Sequence, residues 1–194
     1  MNIILVRHGQ TDWNLKNKLQ GSTNIDLNET GVLQAKQTAK NLANKNIDVI
    51  YSSPLNRTLA TTNEINKNRN IKVIKDDRLI ERGFGNLEGL EGKDINFKKY
   101  WDFSLNACDE NIESISTFFN RIYDFLNDIF IKYQDTPKTI LLVTHNGVNL
   151  AISSILEGTK ENIFEYNLKP CDYKSFKNLT ILPRLEDIYG KYKI

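Results

Sequence analysis

The sequence contains two histidines, and both stand where an apolar run gives way to glycine. Ile3–Val6 leads into Arg7–His8–Gly9, and Thr139–Val143 leads into Thr144–His145–Asn146–Gly147. A lone imidazole at a strand end is commonly structural. Two at equivalent ends of a parallel sheet would converge on one crevice, because open α/β sheets gather ligands beyond the carboxyl ends of their strands. Arg7 directly precedes the first histidine, and Arg57 lies four residues after Ser53, near the start of a helix expected after a second strand. His8, His145, Arg7 and Arg57 together would make a compact cationic pocket, and guanidinium groups match phosphate oxygens bidentately. In such a pocket an imidazole attacks phosphorus only while neutral, with its ring oriented and its other nitrogen bonded.

That convergence requires a frame. Ile3–Val6 is a continuous β-branched run and reads as a buried strand. Thr30 is expected to cap a helix through about Lys45, with Val32, Ala35, Ala39 and Leu42 on one face. Asp48–Tyr51 reads as a second strand, Pro54 as the opening of a helix to about Asn66, and Ile71–Ile74 as a third strand. Leu79–Asp94 holds Gly83, Gly85, Gly89 and Gly92 and reads as a loop or lid. Asn111 is the expected cap of a long helix on which Ile112, Ile115, Phe119, Ile122, Ile129 and Tyr133 recur at helical spacing. Thr139–Val143 is another buried strand before the helical stretch Val148–Leu156, and Tyr173–Leu182 would supply one more strand. The alternation predicts an α/β fold: a single-domain, three-layer α/β/α sandwich around a mostly parallel sheet, with a lid or insert at roughly 83–111.

Composition narrows the ligand. The 194 residues carry 26 Lys+Arg against 24 Asp+Glu, a net charge of +2, which gives no global attraction to nucleic acid or anionic lipid. An anionic ligand must therefore be held by a local cluster. Cys108 and Cys171 have no CxxC spacing, and two thiols make no disulfide framework. The apolar start, Met1–Val6, is too short for a signal peptide, and no run approaches the length of a membrane span. These features predict a cytoplasmic protein with neither a nucleic-acid nor a membrane partner.

At this point the residues match a family. Leu5–Val6–Arg7–His8–Gly9–Gln10–Thr11–Asp12–Trp13–Asn14 resembles the Arg-His-Gly signature of the histidine phosphatase superfamily, which includes cofactor-dependent phosphoglycerate mutases. The resemblance continues through Leu19–Gln20–Gly21, Asp26–Leu27, Thr30–Gly31 to Ala35, Tyr51 to Thr58, Glu81 to Gly89 and Val143–Thr144–His145, in the family's order. It implies that His8 is the nucleophile, passing through a phosphohistidine. Arg7, Arg57 and His145 would bind the phosphoryl group and stabilise charge on its equatorial oxygens. Asn14 would add a neutral donor, and Gln20 and Gly21 would lie near the substrate. Glu81, which taken alone reads as a solvated charge beside Glu88 and Glu91, matches the family's proton donor. Glu88 stays open as an alternative acid that a lid would bring over the pocket. No metal or other cofactor is implied.

Two details set this chain apart within that resemblance. The family usually has Gly directly after the second histidine, whereas Asn146 intervenes here before Gly147. Asn tolerates the left-handed region better than other non-glycine residues, so the turn is expected to survive, with Asn146 counted among the phosphate-binding residues. The family's mutases carry a longer insert with a pair of adjacent arginines; between Gly92 and Asn111 this chain has Lys93, Lys98 and Lys99 but no such pair. The expected function is a metal-independent phosphomonoesterase acting on a small phosphorylated metabolite. A cofactor-dependent phosphoglycerate mutase, or a non-catalytic member binding phospho-ligands or partners, are the alternatives. Trp101 and Tyr100 would line an apolar leaving-group pocket or simply pack. An exposed face on the last strand would allow two chains to pair as a homodimer.

Overall fold

A computed structural model describes residues 1–158 and 163–190. In chain order the regular elements are β1 (Asn2–Arg7), α1 (Asp12–Leu15), α2 (Glu29–Asn41), β2 (Val49–Ser52), α3 (Asn56–Asn66), β3 (Val73–Lys75), α4 (Phe97–Tyr100), α5 (Ile115–Tyr133), β4 (Thr139–Thr144), α6 (Asn146–Glu157), β5 (Tyr173–Phe176) and α7 (Leu185–Tyr189). The sheet order is β3-β2-β4-β1-β5. Its first four strands are parallel, and β5 closes one edge antiparallel to β1.

The three layers follow from alternation along buried strands. Ile3 and Leu5 of β1 join Ile140 and Leu142 of β4 in a core completed by Phe118, Phe119, Ile122 and Phe125 of α5 and by Val148 and Ile152 of α6. Ile4, Val6, Leu141 and Val143 point the other way, onto Leu42 beyond α2 and Ile65 of α3. Both faces of the central strands are thus covered, so the runs read as continuously apolar rather than alternating.

Several boundaries differ from the expectations. Asn28, not Thr30, caps α2, its side chain accepting from the Gly31 N–H at 2.9 Å. Pro54 lies outside α3, which opens at Asn56. Ser114, not Asn111, caps α5, accepting from the Thr117 N–H at 3.1 Å; Asn111 sits instead in the left-handed region at φ 59°. The third strand is shifted to Val73–Lys75, and only Tyr173–Phe176 of the tail pairs as a strand. The left-handed turn expected at Asn146 does not form: this residue is the first of α6, with His145 as the N-cap. The strand simply passes into the helix, so no glycine is needed there.

The segment between β3 and α5 is more ordered than a bare loop. It contains short 3-10 turns and α4, and it has its own small core of Phe84, Ile95, Tyr100 and Ile112. Among the described residues, no helix is long and apolar enough to cross a membrane.

Candidate active site

The site follows from strand register. Parallel pairing of β1 with β4 sets Arg7 opposite Thr144, so the next residues, His8 and His145, leave neighbouring strands at the same level. Their ring centroids lie 5.2 Å apart. β2 flanks β4 on the other side, and the Ser53 N–H bonds the Val143 carbonyl at 3.2 Å, which brings the start of α3 and Arg57 to the same place.

His8 is buried, and its Nδ1 lies 2.7 Å from the Gly9 carbonyl. A carbonyl only accepts, so Nδ1 carries the proton and Nε2 keeps its lone pair. Burial, followed by the nearby Arg57 and Arg7 charges, holds the His8 pKa well below the ordinary imidazole value, against a smaller opposing effect of the Gly9 bond. Gly9 itself is required by close approach: a Cβ there would stand 2.5 Å from the Gly31 carbonyl oxygen in α2.

Arg57 is fully buried. Its Nη1 and Nη2 donate to the carbonyls of Thr23 (2.7 Å) and Gly21 (2.8 Å), and its Nε donates to His145 Nδ1 (3.1 Å). The Gly21 carbonyl is presented by a left-handed turn, φ 51°. His145 Nδ1 therefore accepts, and Nε2 carries the proton toward Ser53 Oγ at 2.8 Å. Desolvation, then the adjacent Arg57 and His8, holds the His145 pKa well below its usual value. Arg7 Nη1 donates to the Leu168 carbonyl at 2.6 Å, while its buried Nε has no partner. Burial lowers both arginines, Arg57 to about 10. Neither guanidinium hydrogen-bonds a carboxylate among the described residues.

Glu81 completes the group. One carboxylate oxygen accepts from the Gly147 N–H at the start of α6 (2.9 Å), and the other from the Arg82 N–H (3.0 Å). Asn14 and Gln20 turn their amide oxygens toward Thr11, which leaves the NH2 groups to donate. Arg7, His8, Asn14, Gln20, Gly21, Arg57, Glu81 and Asn146 all line one cavity of about 330 Å³. His145 does not reach its wall; it stands behind His8 and Arg57.

Glu88 is elsewhere. Its carboxylate accepts from the N–H groups of Ser22, Thr23 and Phe84, each at 2.9 Å, and from both hydroxyls of Ser22 and Thr23, tying two loops together off the cavity wall. The Asn146 amide is taken up by Asn167 and the Leu168 N–H. Trp101 is on the wall, whereas Tyr100 is buried in the small core beside it.

Other wall residues were not singled out from sequence: Lys18, Phe97, Leu150, Phe164 and Asn167. Phe164 belongs to a single 3-10 turn, Ile163–Tyr166, and Asn167 directly follows it, too short a segment to leave a periodic signal. Ser53 was also missed, although its place at the end of β2, in step with His145 on β4, was available from strand order. Among the described residues, no group of three or more His, Cys, Asp or Glu side chains could hold a metal ion.

A family model described as histidine phosphatase superfamily (branch 1) matches residues 3–180. Phosphoserine phosphatase 1 of Hydrogenobacter thermophilus is 34% identical over 151 residues, covering 75% of this chain and 71% of that protein. A 2,3-bisphosphoglycerate-dependent phosphoglycerate mutase of Rhizobium meliloti is 30% identical over 207 aligned positions, 98% of each chain. The solved alpha-ribazole phosphatase from Shigella flexneri shares the fold, with a TM-score of 0.79 at 24% identity, covering 90% of this chain and 89% of that one.

Proposed function

This chain belongs to the histidine phosphatase superfamily, branch 1, and from that premise we propose that it is a metal-independent phosphomonoesterase working through a phosphohistidine on His8. The observation that carries the reading is the pair of largely buried guanidiniums, Arg7 and Arg57, bonded to carbonyls and an imidazole but to no carboxylate. Glu81 is the leading opposite charge near both but bonds neither, and buried charge so incompletely compensated is costly unless a ligand supplies more of the other sign. A phosphate dianion does so, and its oxygens suit guanidinium forks.

The reaction then uses the groups as they stand. The Nε2 lone pair of His8 forms the N–P bond while the P–O bond to the alcohol breaks. Glu81, as the carboxylic acid, gives its proton to the departing oxygen. Water next attacks the phosphohistidine, the Glu81 carboxylate takes its proton, and the N–P electron pair returns to the imidazole as inorganic phosphate leaves. Arg7, Arg57 and the Asn14 amide stabilise the equatorial oxygens, with Gln20, Gly21 and Asn146 at the start of α6 shaping the seat. His145, expected from sequence to bind the phosphoryl group itself, acts here from behind the wall by holding Arg57 through its Nδ1.

Hydrolysis is favoured over isomerisation by the charge left for the rest of the substrate. Beyond Arg7 and Arg57, the described residues of the wall include one further Lys or Arg, Lys18. Lys93 and Lys99 are paired with Glu91 and Asp109 instead. Trp101, Phe97, Leu150 and Phe164 give the remaining wall an apolar character suited to the carbon skeleton of a small alcohol.

Hydrolysis of an aryl phosphate is expected to persist in chelator and to vanish in His8→Ala. A divalent-metal requirement, or activity surviving that substitution, contradicts the mechanism. The mutase reading draws on the full-length match to the Rhizobium meliloti enzyme; isomerisation of 3-phosphoglycerate with a bisphosphate primer, faster than hydrolysis, would establish it. Tight phosphate binding without turnover across a substrate panel would instead indicate a binding protein, whereas acid-labile phosphate on His8 excludes that role.

A further inference from the structure

We infer that Arg121 and Glu113 are positioning residues for the proton donor, an inference that rests on the role proposed for Glu81. Glu81 lies in an irregular stretch between β3 and α4, so neither a helix nor a sheet ladder fixes its backbone. The carbonyls of that stretch are instead collected by one side chain from α5. Arg121 Nη1 donates to the carbonyls of Arg78 (2.6 Å) and Ile80 (2.8 Å), and Nη2 to that of Glu81 itself (3.2 Å).

The two remaining N–H groups of the guanidinium go to Glu113, Nε to one oxygen at 2.6 Å and Nη2 to the other at 2.9 Å. All five donors are therefore used in a planar fork, which fixes direction as well as distance. Glu113 extends the grip beyond the acid. Its Oε2 accepts from the Gly83 N–H (3.1 Å), its own N–H donates to the Gly83 carbonyl (2.9 Å), and its carbonyl accepts from Arg82 Nε (2.8 Å).

The stretch from Arg78 to Gly83 is thus fastened at five of its six residues, three of them to Arg121 of α5 and two to Glu113 just before that helix. Neither Arg121 nor Glu113 lines the cavity, and both side chains are mostly buried, at 21% and 17% exposure. A salt bridge serving only stability would not need to spend three donors on the backbone that carries the acid. Displacements of about 1 Å at such a group cost up to about a hundredfold in rate.

The test uses leaving groups that differ in their need for an acid. An alkyl phosphate such as 2-phenylethyl phosphate requires protonation of its leaving oxygen, whereas 2,4-dinitrophenyl phosphate does not. The readout is the ratio of kcat/KM for the two, which reports the phosphorylation step. Glu81→Gln is expected to lower the ratio by about a hundredfold or more. Arg121→Lys, which keeps the charge but loses the fork, is expected to lower it about tenfold, and Glu113→Gln to act in the same direction. In the Glu81→Gln background, Arg121→Lys should lower it no further, because the two act as one unit.

Equal losses for both substrates in Arg121→Lys and Glu113→Gln, or a ratio that falls additively in the double variant, would overturn the inference. If Glu81→Gln leaves the ratio unchanged, Glu81 is not the acid and both readings fall together. Should Arg121→Lys not fold, Glu113→Gln alone decides by the same ratio.

Discussion

At the residue scale, the site turns on how few of its buried charges are neutralised. Arg57 satisfies two loop carbonyls and one imidazole with three different nitrogens, and no ammonium can reproduce that fork. Arg57→Lys is therefore expected to lower kcat/KM at least about a hundredfold and to weaken inhibition by inorganic phosphate, measured on the same preparation. Retention of tight phosphate inhibition would show that Arg57 is not in the anion seat. Glu88 tests the opposite case. Its two oxygens accept from three backbone N–H groups and two hydroxyls. In Glu88→Gln either orientation of the amide turns an NH2 against a backbone N–H. The expected cost is about 1–3 kcal/mol of stability, seen in urea unfolding, with hydrolysis still present in the folded fraction. Loss of turnover at unchanged stability would return Glu88 to the chemistry.

At the element scale, the strand ends that carry the proposed site are aligned by register, and the turn that follows β1 is held in close approach to α2. The turn after β1 passes against the first turn of α2 where both residues are glycine. A methyl group on Gly9 would lie 2.5 Å from the Gly31 carbonyl oxygen, and one on Gly31 would lie 2.1 Å from the Gln10 carbonyl oxygen. Backbone cannot yield there as a flexible side chain would, so Gly9→Ala is expected to cost about 1–3 kcal/mol and to lower activity by moving His8; thermal unfolding and kcat measure the two effects. The same scale explains what was legible in the sequence. The strands were readable because a run such as Ile3–Val6, covered on both faces, has no other economical use. The helix starts were not: Asn28 and Thr30, or Asn111 and Ser114, are equally good cap types, and only the side chain that meets the third N–H of the helix decides. At Asn146 the resemblance implies a turn built on glycine, yet a strand that feeds directly into a helix requires none. His8 and Arg7 are recoverable from a strand end and Arg57 from the helix start that follows one, whereas Phe164 and Asn167 meet the cavity through a single 3-10 turn and the residue after it, too short for periodicity to mark. Arg121 was hidden in plain view as one polar residue on the amphipathic α5.

At the scale of the whole molecule, the cationic centre couples folding to protons and to phosphate. The chain has only two histidines, and both are buried with pKa values held well below the imidazole norm, chiefly by desolvation and next by Arg57. Below about pH 6.5 the unfolded chain takes up protons on both imidazoles while the folded protein does not. The unfolded state then binds more protons, so stability must fall as pH falls; the stability present above pH 6.5 is progressively lost until the folded pKa values are reached. Each histidine contributes at most about a tenfold change in the folding equilibrium per pH unit, so the pair sets a ceiling of about a hundredfold. A bound anion reverses part of this. Phosphate stabilises the fold by mass action, and its negative charge beside the rings also favours their protonated forms, narrowing the gap between folded and unfolded pKa values. Urea unfolding at pH 7.5, 6.5 and 5.5 should therefore show a falling midpoint, with a shallower fall in saturating inorganic phosphate. With no third imidazole to titrate in this window, a flat profile without phosphate would mean that His8 and His145 protonate freely in the folded protein, and a steeper fall with phosphate would mean that the anion binds away from them.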